Sequence, residues 1–382
     1  MKKINFAVIG AHRRGKISLL SHRPEEGLQL VAACGKTIDK IASDSLDEYI
    51  KKCGPGVQLT TDYQDIVKNP DIDAVFVCSP DYLHAEHAIA CLEAGKYVYL
   101  EKPLAITVED CDLILEASEK SGGKLYVGHN MRFFPVFRKM RELIDAGRIG
   151  RVEAIWCRHF ISYGGDAYYK DWHSERRFTT SLLLQKASHD IDIIHYLAGS
   201  HTNLVTAMGK LSVYNEVTDR REENENVSVL FDRSNWPPLS QKKLSPKIDV
   251  EDHSMVLMQM KNGVQASYMQ CHYTPDDVRN YTVIGTEGRI ENYGDHSSEE
   301  KWATVNLWNR RNGYDLLGHE VFRIPYLQGE HGGADPLIVA DFIRLIRGEK
   351  TVGASPHDAR MAAVVGCQAA DSLRNGSIPK TV

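Results

Sequence analysis

The chain has 382 residues, more than one hydrophobic core usually serves, so two domains are the first expectation. Apolar residues make up 42% and charged residues 25%, a globular make-up that excludes a disordered or fibrous chain. A net charge of -5 offers no basic surface, so no nucleic acid and no anionic membrane is expected as a partner.

Met1-Lys2-Lys3 is basic, but the apolar run Ile4 to Ile9 stops at Gly10. It is too short for a signal peptide or a membrane span and reads as a buried strand. The eight cysteines are scattered without a C-x-x-C pair. Cys34 and Cys78 lie in apolar runs, where a thiol packs as a small hydrophobe. This usage points to reduced cysteines and a cytoplasmic location.

Further apolar runs follow at Leu28–Cys34, Asp73–Cys78, Lys96–Leu100 and Lys124–Val127. Short runs that are apolar on both faces suit parallel strands covered by helices. The segments between them are helical in period. His84 to Ala94 places Ala88, Ile89 and Leu92 on one face and stops at Gly95. Val108 to Lys120 follows Thr107, an N-cap with Asp110 at the third helical position. This alternation predicts a doubly wound α/β Rossmann-type domain over residues 1–127.

The first turn reads Gly10-Ala11-His12-Arg13-Arg14-Gly15. A dinucleotide fingerprint would be G-x-G-x-x-G, so His12 departs from it at the glycine that lets backbone approach a pyrophosphate. The helix N-terminus that follows favours an anion, and Arg13 and Arg14 add charge unless they are solvated surface arginines. After Cys34 comes Gly35-Lys36-Thr37, with no carboxylate before Asp39. A carboxylate there would hold the ribose hydroxyl of NAD, whereas a cation suits a 2′-phosphate. Lys36 therefore leans toward NADP, with NAD open, unless it only begins an exposed loop.

Residues 128–382 are expected to form a second, α+β domain with a large, mostly antiparallel sheet. Val152–Trp156 is strand-like. Asp252–Met260, Asn262-Gly263 and Val264–His272 give the strongest hairpin signal in the chain. Arg220–Asn226 and Ser234–Lys247 read as exposed insertions between strands. Two helices, Pro336–Arg347 and Pro356–Leu373, close the chain and are expected to pack near the first domain.

Four motifs carry a resemblance. They are Ser79-Pro80-Asp81-Tyr82-Leu83-His84, Glu101-Lys102-Pro103, Gly128-His129-Asn130-Met131-Arg132-Phe133 and Ile284-Gly285-Thr286-Glu287-Gly288. With Gly147-Arg148-Ile149-Gly150 leading into the second domain, they resemble the Gfo/Idh/MocA oxidoreductase family over nearly the whole chain. The resemblance implies a nicotinamide cofactor contacted by Ser79, His84, Glu101 and Lys102, with Asn130 lining the cleft; Pro80, the first-turn residues Gly10, His12, Arg13, Arg14 and Gly15, and Lys36 complete the expected cofactor positions. It implies that Lys102 sits between nicotinamide and substrate, that the Lys102–Pro103 bond is cis, and that the protein is a homodimer or homotetramer.

The family's second chemical motif, D-x-G-x-H-x-x-D, here reads Gln185-Lys186-Ala187-Ser188-His189-Asp190-Ile191-Asp192. His189 and Asp192 match, but Gln185 replaces the aspartate and cannot exchange protons. Acid–base work then falls to His189, which titrates near neutrality, and to Lys102. Lys186 either lowers the pKa of a neighbouring base or binds a substrate hydroxyl or carboxylate. Tyr163, Trp172 and their polar neighbours suit the C–H faces and hydroxyl edges of a carbohydrate, unless the aromatics only pack on the sheet. His331 and Asp335 lack the compact spacing of a metal site, and no metal is expected.

The expected activity is NAD(P)-dependent oxidation of a sugar, cyclitol or glycoside hydroxyl, or reduction of the ketone. A hydrolase or lyase that oxidises its sugar transiently is the second reading. A non-catalytic dinucleotide-binding regulator is the third.

Overall fold

The computed structural model describes residues 3–36, 47–223, 225, 231–295, 301–311 and 313–382. Thr37, Asp39, Asn224 and Asn226 lie outside them. The chain divides into two compact units, one of residues 1–130 with 334–360, the other of residues 131–333 with 361–382.

The first unit is built on six strands, β1 Ile4–Ile9, β2 Leu28–Cys34, β3 Gln58–Thr60, β4 Ala74–Val77, β5 Tyr97–Leu100 and β6 Leu125–Val127. They lie in the order β3-β2-β1-β4-β5-β6, and every pairing is parallel. This is the doubly wound arrangement, with its switch point between β1 and β4. The four residues of β4 are all buried, as helices on both faces require. Helix His84–Glu93 ends where Gly95 takes φ 77°, a left-handed turn that suits glycine. Helix Val108–Lys120 starts on Thr107, whose side chain accepts from the Asp110 amide. After Gly10 the chain enters tight 3-10 turns over Arg13–Ser21 rather than the α-helix its position suggested.

Helix Ala334–Ile346 completes the unit. Its Phe342 is fully buried and meets the rings of Phe6, Phe76, Tyr99 and Tyr126 at 5.4–6.4 Å. Asp341 on the same helix accepts from the Tyr126 hydroxyl at 2.9 Å and from the Gly353 amide at 2.9 Å.

The second unit holds nine described strands, β7 Val152–Phe160, β8 Thr202–Lys210, β9 His253–Met260, β10 Gln265–Cys271, β11 Val278–Gly285, β12 Gly288–Tyr293, β13 Trp302–Trp308, β14 Glu320–Pro325 and β15 Lys380–Thr381. Their order is β14-β13-β12-β11-β7-β10-β9-β8-β15. All neighbours are antiparallel except β7 and β10. The Asn262-Gly263 hairpin forms where its sequence placed it, joining β9 to β10. Two of the quoted motifs meet here. The Glu287 amide donates to the Ile149 carbonyl at 2.9 Å, and a Cβ on Gly285 would stand 2.1 Å from that same oxygen.

The insertion over 234–247 is not wholly exposed. Leu244 is buried against Tyr169, Tyr214, Leu182 and Val250 in a core cluster of its own. One apolar residue in a polar stretch anchors the loop, which is why composition alone read it as surface. The eight cysteines are unbridged, and no described helix is long and apolar enough to cross a membrane.

Phe342→Ala should cost about 3–5 kcal/mol, the usual cost of emptying a large aromatic site in a packed core. Urea unfolding followed by near-UV signals from the first unit measures it, and a loss below about 1 kcal/mol would mean the helix is not part of that core.

Candidate functional site

In the first unit, the ends of β1, β4 and β5 bring most of the expected cofactor residues together. Gly10 has φ 85°, and a Cβ there would lie 2.4 Å from the backbone between Cys78 and Ser79. Only glycine allows the two strand ends to approach so closely. Gly15 is equally constrained, since its Cβ would stand 2.1 Å from the Gly10 carbonyl oxygen. Arg13 is exposed and has φ 45°. His12 is half-buried, and its Nδ1 is a buried atom with no hydrogen-bond partner among the described residues.

Arg14 does not point its charge outward. Its Nε lies 2.7 Å from Glu101 Oε1 and its Nη1 2.6 Å from Asp335 Oδ2. Glu101 also accepts from the Tyr99 hydroxyl at 3.0 Å and from the Lys102 amide at 3.2 Å. Burial, and then the Glu101 charge, hold the Tyr99 phenol well above its ordinary pKa, so it remains a donor. Gly128 leaves room for this carboxylate: a Cβ there would be 2.8 Å from Tyr99 Oη and 3.1 Å from Glu101 Cδ. The Lys102–Pro103 bond is cis.

Ser79, Pro80 and His84 form the neighbouring turn. The His84 ring is buried, with Nδ1 2.7 Å from the Pro103 carbonyl oxygen and Nε2 2.9 Å from that of Ser79. It ties the β4 turn to the β5 turn. His87, which sequence reasoning passed over, reaches the Ser79 hydroxyl at 2.9 Å through Nδ1. Burial lowers its pKa to about 4, and the Glu86 charge opposes the shift. Asn130 is buried at the end of the segment after β6, and its Oδ1 has no partner among the described residues. Lys36 stands apart from this group, exposed just beyond β2.

The residues present fit a dinucleotide. The glycine turn follows the first parallel strand at the switch point, and two buried polar atoms of this unit, His12 Nδ1 in that turn and Asn130 Oδ1 after β6, have no partner among the described residues.

In the second unit, Gln185, Lys186 and His189 lie at the start of helix Ala187–Ala198. Lys186 Nζ donates to the Tyr163 hydroxyl at 3.0 Å. Its ammonium also stands 5.5 Å and 5.7 Å from the ring centres of Tyr163 and Tyr168. Trp172 stacks on His173 at 3.7 Å, and the His173 ring meets Tyr168 edge-on. Gln185 is buried and His189 half-buried.

A buried network beneath these residues was invisible to sequence reasoning. Asp190, beside His189, has no exposure. Its carboxylate lies 2.9 Å from His159 Nδ1 and 3.1 Å from Arg279 Nε, and it accepts from Tyr268 at 3.2 Å and from Tyr281. Burial alone would raise the Asp190 pKa. Arg279 and then His159 outweigh that and hold it well below the carboxylate range. Burial and Arg279 push His159 down to about 4, keeping it neutral. Two residues on, Asp192 is gripped by Arg132, at 2.9 Å and 2.7 Å through two nitrogens. The partners of Asp190 come from β7, β10 and β11, so only their shared inward face could have signalled them. Among the described residues no cluster of three His, Cys, Asp or Glu comes together to hold a metal, and Asp335 is instead an Arg14 partner.

Residues 4–129 match the profile of the Gfo/Idh/MocA oxidoreductase family's NAD-binding Rossmann fold, and residues 141–382 match that of its C-terminal alpha/beta domain. Myo-inositol 2-dehydrogenase of Thermotoga maritima is 26% identical over 372 residues, covering 97% of this chain and 96% of that one. The 2,7-anhydro-N-acetylneuraminate hydratase of Mediterraneibacter gnavus is 24% identical over 304 residues, 79% of this chain and 75% of that one. The solved levoglucosan dehydrogenase in complex with NADH and levoglucosan shares the fold, with TM-score 0.77 at 22% identity over 100% of both chains.

His87 has a measurable consequence. Its unfolded imidazole takes up a proton below about pH 6.5, its folded one only near pH 4, so the contribution is full above this window and is lost as pH falls through it. The loss amounts to about 3 kcal/mol. Denaturant unfolding across that range should show it for the wild type, with a flatter profile for His87→Gln.

Proposed function

Because the chain belongs to the Gfo/Idh/MocA oxidoreductase family, we propose that it oxidises a hydroxyl of a sugar or cyclitol, or reduces the matching ketone, using NAD(P). The observation that carries this reading is the glycine turn at the β1–β4 switch point, with the Glu101-Lys102-Pro103 segment at the end of β5. The full-length similarity to an inositol dehydrogenase supports the substrate class.

Gly10, His12, Gly15, Ser79, Pro80 and Asn130 would hold the dinucleotide. When bound, its nicotinamide ring takes or returns the hydride. The chain supplies proton transfer and charge stabilisation. His189 accepts the hydroxyl proton, and the Lys102 ammonium steadies the negative charge that builds on the substrate oxygen. Gln185 orients without exchanging protons. Arg14 and His84 act one step removed. Arg14 fixes Glu101, from which the Lys102 amide hangs, and His84 fixes the Ser79 and Pro103 carbonyls.

Lys36 favours the 2′-phosphate of NADP, so Lys36→Ala should lower the NADP-to-NAD preference by about tenfold, the loss of one charge-assisted contact. A wild type that prefers NAD would reverse this reading. The exposed apolar row of Trp156, Met208, Met255 and Leu257 on the sheet is read as the surface that pairs with a second copy. The hydratase relative supports a second reading, in which oxidation is transient. Steady accumulation of reduced nicotinamide separates the two, because the second reading returns every hydride.

Lys102→Ala and His189→Ala should each lower turnover by about 100- to 10,000-fold, while nucleotide still raises the melting temperature. Unchanged turnover in either variant removes that residue from the catalytic assignment.

A further inference from the structure

We infer that the second unit recognises a sugar bearing a carboxylate, such as a uronate, through the Lys186 ammonium and the Tyr163 hydroxyl. The inference rests on the reading of this unit as the sugar-binding half and narrows its substrate to an acidic sugar.

Local charge pairing is the first ground. Among the described residues no carboxylate stands within ion-pair distance of Lys186. The charges around it are matched elsewhere. Asp190 faces Arg279, which also reaches Asp295 at 3.4 Å. Asp166 holds Lys170 at 2.6 Å, and Asp192 holds Arg132. His159 and His272 are kept neutral, in both cases chiefly by burial. Lys186 is thus the one cation of this group with no carboxylate of its own in contact, on a half-buried side chain where water compensates it incompletely.

Hydrogen-bond inventory is the second ground. The ammonium has three N–H donors, and one goes to Tyr163 Oη. Tyr163 spends a lone pair on that bond, and its own O–H meets no acceptor among the described residues. Tyr168 adds no negative charge, since burial pushes its phenol up to about 12 against the pull of Lys186. The pair is therefore rich in donors and poor in acceptors. A sugar hydroxyl gives a proton for each one it takes. A carboxylate only accepts, over two oxygens, and sets a negative charge directly against the ammonium.

Shape agrees with this chemistry. The Tyr163 and Tyr168 rings lie 6.4 Å apart and Phe231 stands edge-on to Tyr163 at 5.3 Å, giving apolar walls beside the cation for the C–H face of a pyranose. A phosphate dianion would call for a second cation or a bidentate guanidinium, and the nearby Arg279 is already held by two carboxylates.

Calorimetric titration of the full chain with glucuronate, glucose and glucose 6-phosphate tests the inference without requiring turnover. Glucuronate should bind tightest, and Lys186→Met should weaken it by about 30-fold, the range of a hydrogen bond to a charged group. Lys186→Arg should restore part of the loss. Parallel assays of nicotinamide reduction separate this inference from the dehydrogenase reading. Glucuronate binding that depends on Lys186 without any reduction supports the carboxylate site and removes the dehydrogenase. Turnover of neutral sugars with no acidic preference keeps the dehydrogenase and overturns the carboxylate site. Equal binding of the three ligands, binding of none, preference for the phosphate, or glucuronate affinity unchanged in Lys186→Met also overturns it.

Discussion

Much of the first unit hangs on one buried carboxylate. Glu101 takes the Arg14 guanidinium, the Tyr99 hydroxyl and the Lys102 amide, and Arg14 in turn takes Asp335. A carboxylate removed from water must be met by donors or it costs several kcal/mol. Meeting those donors fixes the geometry of three chain segments together. The glycine turn after β1, the end of β5 and the start of helix Ala334–Ile346 share one set of charges. The Gly128 position, too tight for any side chain, is set by the same carboxylate.

The second unit repeats the device with Asp190. A helix residue accepts from, or pairs with, side chains of β7, β10 and β11, and so clamps helix Ala187–Ala198 to the sheet. His189 is the residue just before Asp190, so its backbone position is inherited from that clamp. The network keeps Asp190 charged and His159 neutral, leaving neither as an easy source of protons at neutral pH.

What the sequence made legible was local. The β strands of the first unit, the Thr107 cap and the Asn262-Gly263 hairpin each depend on neighbours within a few residues, and period or turn chemistry reveals such features. β3 escaped because, unlike the equally short β6, it is only partly buried and has no continuous apolar run. The glycines at 10 and 15 were readable as the tight turn after β1, but Arg14, read either as charge added for an anion or as a solvated surface group, is held by two carboxylates. One of them lies 321 residues away, beyond any spacing rule. The partners of Asp190, 31 to 91 residues distant, were hidden for the same reason. Leu244 was hidden by composition, as one apolar anchor within a polar loop.

The discontinuity of the first unit also bears on how the chain is made. Phe342 and Asp335 belong to its core and its charge network, yet about 200 residues separate Asn130 from Ala334. At roughly 5–20 residues per second, a ribosome needs on the order of 10–40 seconds to supply them. For that interval Phe6, Phe76 and Tyr99 lack the ring that covers them, and Arg14 lacks one of its two carboxylates. The nucleotide-binding half is therefore begun first and finished late. During synthesis it presents the kind of uncovered aromatic surface that chaperones bind.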